Sequence, residues 1–312
     1  MRDDGGMVQD MPGDGPHIDE SVRGVPAPVL RPFIERYVGY RQAGVAPGRH
    51  RGLPSPYLTV IFTLDDPLVL VEHPDPRQPP GSYRTLVGGL HTSPALITHP
   101  GRQSGIQLLL SPLGARALLG MPAGELANID VEGPEVLGSL ADRIGERLRA
   151  APDWPGRFAV LDQMLVSRLA AGAAGPAVSG EIRAEVSWAW RSLMDAGGRC
   201  SVAWLAGETG WSDRHLRGRF RDETGLSPKA AARVIRFDRA RRLLQHRAAA
   251  ESGDLPALPA LADLAADCGY YDQAHLAREF RELAGCPPSA WLAEEFRNVQ
   301  AGPEGALPVL WP

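Results

Sequence analysis

Along the first third of the chain, apolar residues gather in short runs broken by glycine and proline; beyond about residue 114 they recur every three to four positions instead. The runs YLTVIFTL (57–64), PLVLVE (67–72), RTLVGGL (84–90), PALITH (94–99) and GIQLLL (105–110) have strand length. Short strands at regular spacing, bounded by turn residues, predict a small β-barrel or sandwich. Segment 29–40, VLRPFIERYVGY, suits either a helix or a first strand preceded by a helical turn. The longer period predicts helices over about 114–120, 136–151 and 157–171, then an all-helical stretch from 181 to 298. The fold class is therefore α+β: a β-rich N-terminal half with following helices, and an all-α C-terminal half.

Within the helical half one supersecondary unit is written twice. LAGETGWSDRHLRGRFRDETGLSP (205–228) and LAADCGYYDQAHLAREFRELAGCPP (264–288) each open with a short Ala/Leu helix that stops at a glycine, Gly210 or Gly269. A helix end favours a residue that tolerates the left-handed conformation. A second helix follows, capped by Ser212 or Asp213 in the first copy and by Asp272 in the second. Leu216 and Phe220, like Leu276 and Phe280, stand four apart, so each pair lies on one face and leaves the opposite face free. That is a helix-turn-helix pattern, and it occurs in tandem. With those apolar pairs inward, the free face of the first unit carries Arg214, Arg217, Gly218 and Arg221, with His215 to the side. The free face of the second carries Ala274, Arg278 and Arg281, with Gln273 and His275 near the helix start.

Between the units, PKAAARVIRFDRARRLLQHR (228–247) begins with proline, contains no further Gly or Pro, and carries an apolar stripe of Val234, Phe237, Ala240, Leu243 and Leu244. A helix of that length spans about 30 Å. The major groove of B-DNA repeats about every 34 Å, so a rigid spacer of this size holds two helices in successive groove segments.

A chain of 312 residues with 44% apolar content has material for two domains. The first 21 residues are acidic and rich in Gly and Pro and read as a disordered tail; the domains run over 22–172 and 181–298, with a linker at 173–180 and a second tail at 299–312. No run of 18 apolar residues is present, so no membrane span is expected. The N-terminus lacks the basic start and apolar stretch of a secretion signal, which points to the cytoplasm. Cys200, Cys268 and Cys286 are odd in number, lack metal-ligand spacing and read as small packing residues.

The net charge of -4 is unevenly distributed. From 212 to 247 eleven basic residues face four acidic ones, a local charge of about +7, while the rest of the chain is acidic. Such a run can be a solvated, salt-bridged helix face; on a helix-turn-helix pattern it favours double-stranded DNA.

These segments carry a family resemblance. The two units, the connector SPKAAARVIRFDRARRLL, and above all GYYDQAHLAREFRELAGCPPSAWL resemble the DNA-binding domain of AraC/XylS-type transcription regulators over about 110 C-terminal residues. The resemblance implies seven helices, two helix-turn-helix units on a long connecting helix, and a role in recruiting or repositioning RNA polymerase. Its base-contacting positions map onto Arg214, Arg217 and Gly218 in the first unit and Gln273, Ala274 and Arg278 in the second. Arginine reads guanine through a bidentate fork, glutamine reads adenine, and alanine fits against a thymine methyl. Arg221, Lys229 and Arg281 fit phosphate anchors. The chain departs from the pattern at Ala231, where an aromatic is usual, at Gly218 within a recognition helix, and in a longer link at 248–260.

The N-terminal half resembles, through RGLPSPYLTVIFTL and GIQLLLSPLGARALLGMPAGEL, the cupin-like sensor domains attached to such regulators. That implies a barrel followed by helices, an unknown small-molecule effector and possible pairing into a homodimer. The apolar strands suggest a pocket inside the barrel, between about residues 22 and 172. His50, His73, His91 and His99 stand singly, with no HxH spacing, and GxSxG, P-loop and HExxH motifs are absent, so no catalytic residue, metal or cofactor is assigned. The alternative is an enzyme whose β-rich half does the chemistry and whose helical half delivers it to DNA. DNA-repair regulators of related architecture use a cysteine-rich N-terminal metal site, and all three cysteines here lie elsewhere.

Overall fold

A computed structural model describes residues 17–174, 182–250 and 261–299. Its N-terminal part contains ten strands: β1 (Ile18–Gly24), β2 (Ile34–Ala43), β3 (Gly48–Gly52), β4 (Leu58–Thr63), β5 (Leu68–Glu72), β6 (Gly81–Tyr83), β7 (Thr85–Gly88), β8 (Ala95–His99), β9 (Gln103–Leu110) and β10 (Asp130–Glu132). They form two antiparallel sheets, one ordered β1-β2-β9-β4-β7-β10 and the other β3-β8-β5-β6. The helices after β9 are α1 (Ala115–Leu118), α2 (Gly133–Leu137), α3 (Ser139–Ala150) and α4 (Trp154–Ala174), with a short 3-10 turn at Ala123–Leu126.

All five apolar runs become strands, β4, β5, β7, β8 and β9. Segment 29–40 resolves as the second of its two readings: a turn at 28–33 leads into β2. The supposed tail, by contrast, supplies a strand. β1 pairs with β2 from Ile18↔Ala43 to Gly24↔Tyr37, because backbone pairing along an edge does not require apolar side chains. The remaining tail, the linker core at 175–181, and the inserted link at 251–260 lie outside the described residues.

The six-stranded sheet is covered on both faces, as alternation along its strands dictates. Tyr40, Ile61 and Leu86 point toward the small sheet and join Leu68, Leu70, Tyr83, Ala95 and Ile97 in one cluster. Val60, Phe62, Val87 and Tyr37 point the other way and join the helices. The space between the sheets is thus filled by side chains, two of them tyrosines. A cavity beside Tyr40 measures only about 20 Å³, so the expected ligand pocket does not open there.

The C-terminal part holds seven helices among the described residues: α5 (Ala184–Asp195), α6 (Val202–Thr209), α7 (Asp213–Thr224), α8 (Pro228–Ala250), α9 (Leu261–Asp267), α10 (Gln273–Ala284) and α11 (Pro288–Val299). Its core is continuous with that of the N-terminal part, running from Leu30 and Leu126 through Trp190, Phe220 and Phe237 to Trp291. Phe220 packs on Trp190 at 5.9 Å, while Phe280 meets Phe237 at 4.9 Å and Trp291 at 6.0 Å. Each such ring contributes about 1.5–3 kcal/mol by leaving water.

Candidate nucleic-acid interface

Each predicted glycine closes its first helix: Gly210 caps α6 at φ +70°, and Gly269 follows α9 at φ +76°. The second helices start on side-chain caps. Ser212 Oγ accepts the His215 amide at 3.3 Å, which selects serine over Asp213, and Asp272 Oδ1 accepts the His275 amide at 2.7 Å. Leu216, Phe220, Leu276 and Phe280 are fully buried, so α7 and α10 present the faces the spacing predicted. Trp211 meets His215 edge-on at 4.6 Å, and Tyr270 meets His275 at 5.3 Å, fixing both turns.

All nine residues expected at DNA are exposed: Arg214, Arg217, Gly218, Arg221 and Lys229 around α7, and Gln273, Ala274, Arg278 and Arg281 on α10. The side chains of the six cations among them, and of Arg219, make no ion pair or hydrogen bond among the described residues. The rest of the basic run behaves differently. On α8, Arg233 donates to Glu279 at 2.7 Å and also to Glu282, and Arg241 and Arg242 both clasp Asp238, at 2.6 and 2.7 Å. Arg236 donates to the Gly198 carbonyl at 3.0 Å, and Arg247 pairs with Asp267. The local excess of positive charge therefore splits: Arg233, Arg236 and Arg247 tie α8 to its neighbours, Arg241 and Arg242 clasp Asp238 of α8 itself, and, apart from exposed Arg239, the unengaged cations of the run lie on α7 or at the start of α8.

Sequence reasoning missed what grips the far end of α7. Glu223, in its last turn, is buried and accepts a two-pronged ion pair from Arg116 of α1, at 2.7 and 2.9 Å. Alongside, Gly124 abuts the α7 backbone so closely that a Cβ would lie 2.2 Å from the Asp222 carbonyl oxygen. The second unit is held more lightly. Arg51 of β3 pairs with Glu294 of α11 at 3.0 Å. No local pattern signals contacts between residues 107 and 243 positions apart.

Two clefts open along the seam between the β-rich and helical parts. One, of about 560 Å³, is lined by Tyr57, Ile235, Asp238, Arg242 and His246; the other, of about 580 Å³, by Phe33, Glu35, Leu113, Trp190 and Arg191. Tyr57, Met194 and Asp195 border both. Volumes of this order suit small organic molecules. Burial, then the neighbouring Arg242, pulls the Arg36 guanidinium near this seam down to about 10.

The isolated histidines prove less solitary in space. Pairing of β3 with β8 sets His50 and His99 6.2 Å apart, and burial drives both toward the neutral form, His50 down to about 3. His73 Nδ1 lies 2.7 Å from Asp130 and its Nε2 3.3 Å from the Tyr83 hydroxyl, with the imidazole wholly buried. Among the described residues no three His, Cys, Asp or Glu side chains gather as metal ligands. The three cysteines are free thiols. No described helix is long and apolar enough to cross a membrane.

Comparison with known proteins matches two separate stretches of the chain. A family described as a helix-turn-helix domain matches residues 205–294, and a domain of unknown function (DUF6597) matches 23–132. The HTH-type transcriptional activator RhaR of Pectobacterium carotovorum subsp. carotovorum (strain PC1) is 32% identical over 90 residues, which are 29% of this chain and 28% of that protein. The chain therefore matches little more than a quarter of that relative's length. Among solved structures, ToxT from Vibrio cholerae O395 aligns over 83% of this chain and 96% of its own at 10% identity, with a TM-score of 0.47. A probable AraC family transcriptional regulator from Rhodopseudomonas palustris CGA009 aligns over 36% of this chain and 96% of its own at 27% identity, with a TM-score of 0.29.

Proposed function

We propose, from the premise that the C-terminal domain is a helix-turn-helix domain of the AraC/XylS type, that this chain is a sequence-specific transcription regulator reading two adjacent major-groove segments of double-stranded DNA. The observation that carries the reading is the division of charge: seven exposed cations on or beside α7 and α10, unengaged among the described residues, against Arg233, Arg241 and Arg242 of α8 tied to carboxylates. Arg214, Arg217, Gly218, Gln273, Ala274 and Arg278 are the base readers; Arg221, Lys229 and Arg281 hold phosphates. The 23 residues of α8 span about 34 Å, one turn of B-DNA, so a single chain reaches both groove segments.

The N-terminal part, through about residue 172, senses a small molecule and pairs two chains. The clefts at the seam support an effector site there, where occupancy would act on the mutual placement of the two parts. RNA polymerase in the cytoplasm is the partner acted upon. The protein works by binding and needs no catalysis of its own; the Tyr83–His73–Asp130 chain, sealed from solvent, is structural.

Selection of binding sites from random double-stranded DNA, with the full-length protein and three variants, tests this. Arg214→Ala and Arg278→Ala should each cost about 1–3 kcal/mol and relax preference at one base position, whereas Lys229→Ala should weaken all sequences alike. Unchanged preferences in both arginine variants would refute the assignment of base readers.

A further inference from the structure

The two helix-turn-helix units differ in the length of their turns. In the first, one residue, Trp211, separates Gly210 from the capping Ser212; in the second, two residues, Tyr270 and Tyr271, separate Gly269 from the capping Asp272. Trp211 and Tyr270 do the same work, each meeting edge-on the histidine in the first turn of its recognition helix. Tyr270 is buried and also lies under Arg236. Tyr271 is therefore surplus to the turn. It is 93% exposed, far more than any other large apolar side chain described, and only its backbone is engaged, the amide donating to His275 Nδ1 at 3.3 Å.

Its place in the chain gives this exposure a use. The N-terminal end of a recognition helix is the end that enters the major groove, and Tyr271 immediately precedes the cap of α10, beside Gln273 and Ala274. Tyrosine is among the side chains that bond DNA phosphates, and its ring offers an apolar surface with few torsions to freeze. We propose that Tyr271 is a further DNA-contacting residue, its ring lying on the sugar and its hydroxyl donating to a phosphate at the lip of the groove that α10 enters. This rests on the DNA-binding reading above. The contact seats the second unit without reading sequence. Because the phenol is neutral, it displaces no counterion, which separates it from the arginine and lysine anchors.

The test measures affinity of the full-length protein for its selected duplex at several salt concentrations, with Tyr271→Phe, Tyr271→Ala and Arg278→Ala. Loss of a hydrogen bond to a charged phosphate should weaken the Phe variant about tenfold, and loss of the ring as well should weaken the Ala variant further. The salt slope and the base preferences of both should match the parent, while hydroxyl-radical protection should fade at one edge of the second half-site. If Tyr271→Ala binds like the parent while Arg278→Ala loses discrimination, the proposal fails and the DNA reading stands. If the parent itself selects no sequence, both fall. A protein partner at Tyr271 would show as lost transcriptional output with unchanged affinity for DNA, which also overturns the proposal.

Discussion

Salt dependence offers the sharpest check on how the basic run is divided. If all eleven basic residues between 212 and 247 met phosphates, the logarithm of the binding constant would fall with a slope of about -10 against the logarithm of salt. Raising salt from 50 to 200 mM would then cost about a millionfold in affinity. The structure predicts much less. Among the described residues seven cations on or beside α7 and α10 are free, and subtracting the three arginines proposed to read bases leaves Arg219, Arg221, Lys229 and Arg281. Between four and seven phosphates neutralised give a slope of about -3.6 to -6.3, or a loss of about 150-fold to about 6,000-fold over the same range. Fluorescence anisotropy on the selected duplex measures it directly, and Lys229→Ala should reduce the slope by about one. Arg242→Ala should leave it unchanged, since that guanidinium is held by Asp238. A slope near -10, or one altered by the Arg242 variant, would refute the division; a flat response would count against DNA altogether.

Other expectations follow from particular residues. A Cβ at Gly218 would meet nothing within 4 Å, so Gly218→Ala should stabilise α7 by up to about 1 kcal/mol; if affinity does not fall as the melting temperature rises, Gly218 leaves the set of DNA-facing positions. Arg116→Ala would strand the Glu223 carboxylate, whose side chain is 9% exposed, and should cost about 2–3 kcal/mol in urea unfolding, short of a fully buried pair because Arg116 itself reaches water; a change below about 0.5 kcal/mol would contradict this. Burial keeps His50 neutral in the folded state down to about pH 3, whereas the unfolded chain takes up that proton near 6.5, so stability should fall as pH drops through this window, by about 2 kcal/mol at pH 5. His50→Gln should remove His50's share of that slope between pH 7 and 5, leaving the share of His91 and His99, whose burial also favours the neutral form.

What the sequence disclosed follows the range over which each contact acts. The duplicated units were legible because caps, closing glycines and the Leu–Phe pairs sit within a dozen residues of one another, and one helix turn fixes where Arg214 and Arg278 point. Strands with apolar runs were legible too, but GRHRG at β3 has no apolar residue, and it is a strand only because β8 lies beside it. Composition likewise could not divide the basic run. Arg233 differs from Arg221 in having Glu279 and Glu282 across from it, which folding alone brings there. The filled space between the sheets has a similar origin: strand alternation showed apolar faces, not that Tyr40 and Tyr83 would be long enough to close the gap between them.

The grip of the β-rich part on the far end of α7 limits how freely these halves can be exchanged. A chimaera that joined this C-terminal domain to another sensor at 175–181 would keep its caps and its arginines, yet lose the Arg116 partner of Glu223 and the notch at Gly124 that admits the helix. The same cut would open a core that runs unbroken from Leu126 to Phe220. The first helix-turn-helix unit is thus fitted to its own neighbour, while the second, joined to the N-terminal part among the described residues by the ion pair Arg51–Glu294, is the more portable; inheritance of new specificities by recombination should begin with α9–α11 rather than with the whole domain.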